Sequence, residues 1–350
     1  MKPKLRLIDI AKKANVSLGT VDRVVNKRGK VAPKTEKLIL GIMNEFDYQP
    51  NLMASSLSSK KKVNFAVLIP KPQGEDYWNK ILSGIESAEK AVKEFGVVIS
   101  KFLYDQDDDL QFTELATRIL ETKYDGILVA PRFHKEAKEF VQSLEEEGIP
   151  YLFIDTNIED THPLCSISQN DFQSGELAAK LIDYGIESGD EILSISNLTN
   201  TDNFDLMQER TSGFKSFFET SVKSKRVIHS LEIVNLKFEN LTLLLDEKLA
   251  QCPNIKGIFI NNSKAHAVAR YLNENNISTI KLVGFDLIEQ NIKYLQNGII
   301  DFILFDYAEN QGEIGLQILF DHIMKKKKTT PKINMPIHIV AKENLKGFLP

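Results

Sequence analysis

The sequence predicts an all-α head over residues 1–62 joined to a larger α/β body with parallel sheets over residues 63–350. Three observations carry that reading. Apolar residues in the first fifty positions recur at helical spacing. From residue 63 onward, short apolar runs alternate with longer helical patterns, the order that builds parallel sheets covered by helices. Charge divides at the same place: residues 1–62 hold 14 Lys and Arg against 5 Asp and Glu, whereas the rest hold 30 against 43. The overall net charge of −4 conceals this, and only the head is suited to approach a polyanion.

In the head, Leu7, Ile8, Ala11 and Ala14 predict a short amphipathic helix over 7–14. Asn15-Val16-Ser17 breaks it, and Ser17 can cap a second helix by accepting from its first free amides. Val21, Val24 and Val25 form that helix's apolar stripe. Leu18, Gly19, Thr20, Asp22, Arg23 and Asn26 are left on its outer surface or edges. A third helix starts at Pro33, where a missing N–H costs little. It carries Leu38, Ile42, Met43 and Phe46 on one face and ends near Asp47-Tyr48-Gln49-Pro50. Two short helices with a tight turn and a basic outer face form the helix-turn-helix layout that sets one helix into a DNA major groove. A three-helix bundle of other purpose would show the same periodicity.

The residues themselves are more specific. Ile8-Asp9-Ile10-Ala11-Lys12-Lys13-Ala14-Asn15-Val16-Ser17, then Thr20-Val21-Asp22-Arg23-Val24-Val25-Asn26, then Phe46-Asp47-Tyr48-Gln49-Pro50-Asn51 closely resemble the head of the lac repressor/gal repressor family. The resemblance implies a helix-turn-helix DNA-binding domain over residues 1–50 with a recognition helix from Leu18 to Asn26. It puts Leu18, Gly19 and Arg23 at base edges and Ser17 and Thr20 at phosphates. An arginine there can read guanine through O6 and N7. Asp22 stands where most members carry serine; a carboxylate facing phosphates would repel them, so pairing with a neighbouring Lys or Arg is expected. Residues 51–62 resemble the family's hinge, in which Leu57 matches the leucine that wedges into the minor groove and bends the duplex. A plain flexible linker is the alternative for this small, polar segment.

In the body, strands are expected over Asn64–Pro70, Val97–Leu103, Gly126–Ala130 and Tyr151–Ile154, then Glu191–Ser196, Arg226–Val234, Gly257–Ile260, Lys281–Phe285 and Phe302–Phe305. Helical patterns over Trp78–Phe95, Glu114–Thr122, Lys135–Glu147 and Gly175–Glu187 separate them. Ligands of open α/β sheets bind beyond the carboxyl ends of strands. Polar and aromatic residues stand at those ends: Tyr77 and Trp78 after the first strand, Asp155 after Tyr151–Ile154, and Gln208 and Arg210 opening the helix after Glu191–Ser196. Asn262, Asp286 and Asp306 follow the next three. Carboxylates, amides, a guanidinium and two rings are the groups that grip a polyhydroxylated ligand, hydroxyls to acceptors and donors, rings to C–H faces. Other readings stay open: Asp286 could cap a helix, Tyr77 and Trp78 could be core, and Arg210 could pair an acidic neighbour.

The body resembles the type I periplasmic sugar-binding proteins through Tyr77-Trp78 with Gly84, Ile149-Pro150 before Ile154-Asp155, and Asp171 with Gly175. Arg210 with Gly213-Phe214, Val283-Gly284-Phe285-Asp286 and Ile339-Val340-Ala341-Lys342-Glu343-Asn344-Leu345 extend the match. It implies a two-lobed periplasmic-binding-protein-like (type I) fold joined by three crossovers, with an N-lobe of about 63–169 and 306–335 and a C-lobe of about 170–305 and 336–350. Ribose-like binders carry arginine where this chain has Thr156 and Gln208, and glutamine where it has Asp306, so a different hydroxyl pattern is accepted.

Other chemistries find little support. Asp105-Gln106-Asp107-Asp108-Asp109 lacks the Gly and Glu of a calcium loop, having Leu110 and Ala116 in their places. His134, His162, His229, His266, His322 and His338 show no metal-ligand spacing. Cys165 and Cys252 form no C-x-x-C pair, and no P-loop or G-x-S-x-G pattern occurs. Lys325-Lys326-Lys327-Lys328 reads as an exposed helix end. No enzyme, cofactor or metal is expected. The start has no apolar signal core, and nothing suggests a membrane span, so a cytoplasmic location follows. The expectation is a dimeric transcriptional regulator, a repressor, with further pairing of dimers left open. Its partners are a pseudo-palindromic double-stranded DNA operator and a sugar-like effector. An exported sugar-binding protein for transport or chemotaxis, and a carbohydrate-active enzyme using paired carboxylates, are the rivals.

Overall fold

A computed structural model describes residues 6–25, 29–46, 48, 62–74, 77–198, 204–221, 225–234 and 238–349. Residues 1–62 and the body from Val63 onward belong to separate units. In the head, α1 (Leu7–Ala14) opens with a reciprocal cap: the Arg6 backbone N–H and Nε both donate to Asp9 Oδ2, at 3.0 and 3.2 Å. It closes at Asn15, which takes a left-handed φ of 50°. α2 (Leu18–Val25) and α3 (Pro33–Glu45) complete the bundle around Ile10, Ala11, Ala14, Val21, Val24 and Ile39. Burying each large aliphatic of this set contributes about 1.5–3 kcal/mol.

Two stripe assignments shift. Ile8 and Leu38 are exposed, and Ile10 and Ile39 take the core places. Residues 39, 42, 43 and 46 recur at the i, i+3, i+4, i+7 spacing of one helix face, which Leu38 does not share. Phe46, expected in that core, is half-buried and lies under the Lys13 ammonium, 4.3 Å from its ring centre.

The body is two six-stranded sheets. β1 (Val63–Pro70), β2 (Val97–Tyr104), β3 (Gly126–Val129), β4 (Tyr151–Ile154), β5 (Cys165–Gln169) and β11 (Lys332–Met335) form the first, in the order β11-β5-β4-β3-β1-β2. β6 (Glu191–Leu198), β7 (Ile228–Val234), β8 (Ile255–Ile260), β9 (Lys281–Phe285), β10 (Phe302–Phe305) and β12 (His338–Val340) form the second, in the order β12-β10-β9-β8-β6-β7. All pairings are parallel except β10 with β12. The chain passes from one sheet to the other after Gln169, after Phe305 and between Met335 and His338. Helices cover the sheets: α4 (Tyr77–Lys93), α5 (Asp109–Glu121), α6 (His134–Glu147) and α12 (Ala308–Lys325) on the first lobe; α7 (Asp171–Gly185), α8 (Phe204–Thr220), α9 (Phe238–Gln251), α10 (Ala265–Glu274) and α11 (Glu289–Gln296) on the second.

In each lobe one helix pair crosses closely enough to require glycine. A Cβ on Gly84 of α4 would lie 1.8 Å from the Glu309 carbonyl of α12, and one on Gly175 of α7 would lie 1.9 Å from the Arg210 carbonyl of α8. These contacts set the early turns of the paired helices side by side. That placement builds the site.

Candidate functional site

On the head, Ser17 Oγ accepts the Thr20 N–H at 3.2 Å and lies 2.9 Å from Thr20 Oγ1, which fixes the start of α2. Val21 and Val24 turn inward, so Leu18, Gly19 and Arg23 are exposed, with Thr20 and Asp22 half-buried at the flank. Leu18 is 48% exposed, a large aliphatic held outward on the same helix that exposes Arg23. Such a face can offer both apolar and hydrogen-bonding contacts to base edges. Asn26 and Leu57 lie outside the described residues.

In the body, the strand ends converge on a polar cluster. Asp155 and Asp286 follow β4 and β9, and both adopt left-handed backbones, φ 72° and 66°. Each backbone N–H is fixed by the next strand: Asp155 N–H donates to Ile167 O at 3.0 Å, and Asp286 N–H to Leu304 O at 2.9 Å. The left-handed turn ends the strand and swings the carboxylate off the sheet edge, a conformation aspartate tolerates better than most residues.

The surroundings differ between lobes. In the first, Gln311 of α12 is buried and uses its whole amide: Oε1 accepts the Asp155 N–H at 2.7 Å, and Nε2 donates to Tyr77 Oη at 2.9 Å and to Asp306 Oδ2 at 2.6 Å. In the second, Arg210 Nε donates to Asp171 Oδ1 at 2.7 Å and Nη1 to Asn261 O at 3.2 Å. Its guanidinium stacks 4.1 Å from the centre of the Phe285 ring. Lys80 Nζ, from α4, spans the lobes to Leu287 O at 2.9 Å.

The carboxyls hold their protons unusually well. Burial pushes Asp306 up to about 7, with the Asp286 and Asp155 charges adding to it and the Gln311 amide opposing it. Burial likewise raises Asp155 to about 6, against the Tyr77 hydroxyl. Asp286 and Asp171 are raised by burial, with the Arg210 guanidinium acting in the other direction. Burial, then Asp155, Asp306 and Asp286, push the Tyr77 phenol well up, so it remains a neutral donor.

Tyr77, Asp155, Arg210, Asp286 and Asp306 therefore stand together. Trp78 is 5% exposed and meets Tyr77 edge-on, ring centres 5.3 Å apart, so it is packed into the lobe. α8 begins at Phe204, so Gln208 and Arg210 sit in its second turn rather than opening it, and Gln208 is exposed. Asn262 is buried: its Oδ1 accepts the Lys264 N–H at 2.9 Å, and its Nδ2 meets Asn261 Oδ1 at 3.3 Å. Asp286 caps no helix; α11 begins after Ile288, without a side-chain cap. Sequence pattern alone does not mark Gln311, Lys80, Asp171 and Asn261 as ligand residues, although Gln311 is a buried amide on an otherwise apolar face ahead of Leu316 and Leu319. Elsewhere, Glu191, His229 and Cys252 come within 4.8 Å of one another despite their sequence separation. His229 turns Nε2 to Glu191 Oε2 at 2.7 Å and Nδ1 toward Cys252 Sγ at 3.7 Å, so the two ring nitrogens serve different neighbours.

Residues 65–327 match the family of periplasmic binding protein domains, and residues 6–51 match the bacterial regulatory proteins of the lacI family. The chain belongs to the lacI family of regulators. A lacI-type head precedes a periplasmic-binding-protein domain. The ribose operon repressor of Halalkalibacterium halodurans is 25% identical over 346 residues, covering 97% of this chain and 96% of that protein. Catabolite control protein A of Priestia megaterium is 29% identical over 180 residues, 51% of this chain and 52% of the relative. Among solved structures, a protein from Bacteroides fragilis described as a LacI transcriptional regulator is 28% identical and covers 83% of this chain and all of its own, with a TM-score of 0.75. A carbohydrate transporter solute binding protein from Agrobacterium radiobacter, in complex with D-arabinose, shares the fold at 20% identity, with 82% of this chain and 97% of that one covered and a TM-score of 0.70. Among the described residues of this LacI-family regulator, no helix is long and apolar enough to cross a membrane.

Proposed function

We propose that this LacI-family regulator is a repressor whose hold on a pseudo-palindromic DNA operator is set by a sugar-like effector bound between its lobes. The N-lobe is residues 63–169 with 306–335, and the C-lobe is residues 170–305 with 336–350. The head, residues 1–50, reads DNA through Leu18, Gly19, Arg23 and Asn26 and positions itself on phosphates through Ser17 and Thr20. Residues 51–62 form the hinge, with Leu57 as the wedge. The working unit is a homodimer in the cytoplasm, two heads meeting two half-sites. The observation that carries the reading is the cleft: Asp155 and Asp286, one per lobe, held off their sheets by matching left-handed turns and flanked by Tyr77, Gln311 and Arg210.

The chemistry follows from the groups. Ionised carboxylates accept from neighbouring ligand hydroxyls, the guanidinium donates, and Asp306 donates or accepts according to its proton. These groups bind and orient; no bond of the ligand is broken. The effector acts on DNA only through its preference for one arrangement of the lobes, across which Lys80 reaches Leu287.

Two measurements test the reading. A thermal-shift panel of sugars should contain a compound that stabilises the protein by about 2.7 kcal/mol at 100 times its Kd. Arg23→Ala should weaken operator binding by about 1–3 kcal/mol and relax base preference at one position per half-site. An equal loss on every DNA sequence would make Arg23 a phosphate contact.

A further inference from the structure

The cleft is more acidic than a neutral sugar needs. Four carboxylates, those of Asp155, Asp171, Asp286 and Asp306, share it with two cations, Arg210 and Lys80. Arg210 is already committed: its Nε holds Asp171, its Nη1 holds the Asn261 carbonyl, and its face lies on Phe285. Lys80 Nζ is turned to a backbone carbonyl, that of Leu287. In the first lobe the partners of Asp155 and Asp306 are neutral, a phenol and an amide. Three carboxylates thus face the ligand space from three strand ends, and among the described residues no cation is bound directly to any of them.

Like charges gathered in a partly buried site are stabilised by protons or by counter-charge. A neutral polyol leaves that demand unmet. We propose that the effector is a polyhydroxylated amine, an amino sugar or amino cyclitol, whose ammonium sits among Asp155, Asp286 and Asp306 while its hydroxyls meet Tyr77 and Arg210. The inference rests on the cleft being the effector site. Sugar phosphates and sugar acids are excluded by the same charge, since each would add a negative group to a negative site. The raised carboxyls at about 6 and about 7 mark the strain that an ammonium would relieve. Binding would draw protons off these groups, so affinity should rise with pH between 5 and 7 while the amine stays charged.

The experiment is a calorimetric and thermal-shift panel on the full chain. It pairs D-glucosamine, D-galactosamine, D-mannosamine, amino-deoxy pentoses and aminoinositols each with its hydroxyl parent and its N-acetyl derivative. At pH 7 at least one amine should bind at least tenfold more tightly than both its neutral counterparts, with proton release, and the preference should shrink toward parity at pH 5. Asp306→Asn should cut the amine's affinity at least about tenfold more than it cuts the parent's. If a neutral parent binds as well as its amine, and Asp286→Asn still abolishes that binding, the amine assignment falls and the cleft reading stands. If no compound binds, or binding is indifferent to both Asp286→Asn and Asp306→Asn, the cleft reading falls with it.

Discussion

Asp155 in the first lobe sits among a phenol and an amide, whereas Asp286 in the second shares its surroundings with a guanidinium. The backbones carrying them are nearly the same: a parallel strand, a left-handed aspartate, and an N–H tied to the neighbouring strand. Helix pairs crossing at a glycine stand behind both. One scaffold, used twice, therefore presents two chemistries, and the difference lies in which side chains the crossing helices supply. α12 supplies Gln311, and α7 and α8 supply the Asp171–Arg210 pair. The neutral half can tune the protonation of its carboxyls. The charged half is an internally paired platform.

If that contrast is right, breaking the charged half should cost most. Arg210→Leu strands the largely buried Asp171 carboxylate without its counter-charge, and removal of one partner of such a pair costs about 3–5 kcal/mol. Urea denaturation at neutral pH measures it. A loss below about 1 kcal/mol would mean that the pair is a solvated contact and that the two halves are not so different.

The neutral half should break more gently. Gln311→Leu removes the amide from Tyr77, Asp155 and Asp306 and leaves their polar atoms short of partners, at about 1–3 kcal/mol in the same assay. A cost equal to that of Arg210→Leu would erase the distinction.

A smaller effect, visible through pH, sharpens the comparison. Asp306 at about 7 binds its proton more tightly in the folded chain than an ordinary aspartate does unfolded. Its stabilising contribution is therefore complete below about pH 4 and is lost as pH rises through about 7. The ligand-free protein should lose stability between pH 5 and 8. Asp306→Asn should recover about 1–2 kcal/mol at pH 8 and change little at pH 5, read from thermal melts at both pH values. A variant less stable at pH 8 would show that the ionised carboxylate is well accommodated.

These side chains were unequally legible in the sequence. Asp155, Asp286 and Asp306 each end an apolar run, so the periodicity that marks β4, β9 and β10 also marks them. Gln311 and Lys80 lie inside helices, where a polar residue reads as surface until the facing element is known. β5, Cys165-Ser166-Ile167-Ser168-Gln169, is buried at every position, yet its alternating serines look like loop. β11 and β12 are shorter still, at four and three residues, and are held by their place at the crossovers rather than by their own pattern. In the head, the pattern located all three helices but slipped at Ile8 and Leu38, because a short helix with apolar residues on two sides does not declare which side packs.

Asp286→Asn tests the link between cleft and head most directly. The substitution keeps the side chain's shape while replacing a charged acceptor by a neutral amide, a change worth about 1.5–3 kcal/mol for a hydrogen bond to a charged group. Operator affinity is measured with and without whichever panel compound binds the wild type most tightly. The variant should bind operator like the wild type when that compound is absent and need about ten- to a hundredfold more of it to change operator affinity. Unaltered response to the compound, or loss of operator binding in its absence, would contradict that link.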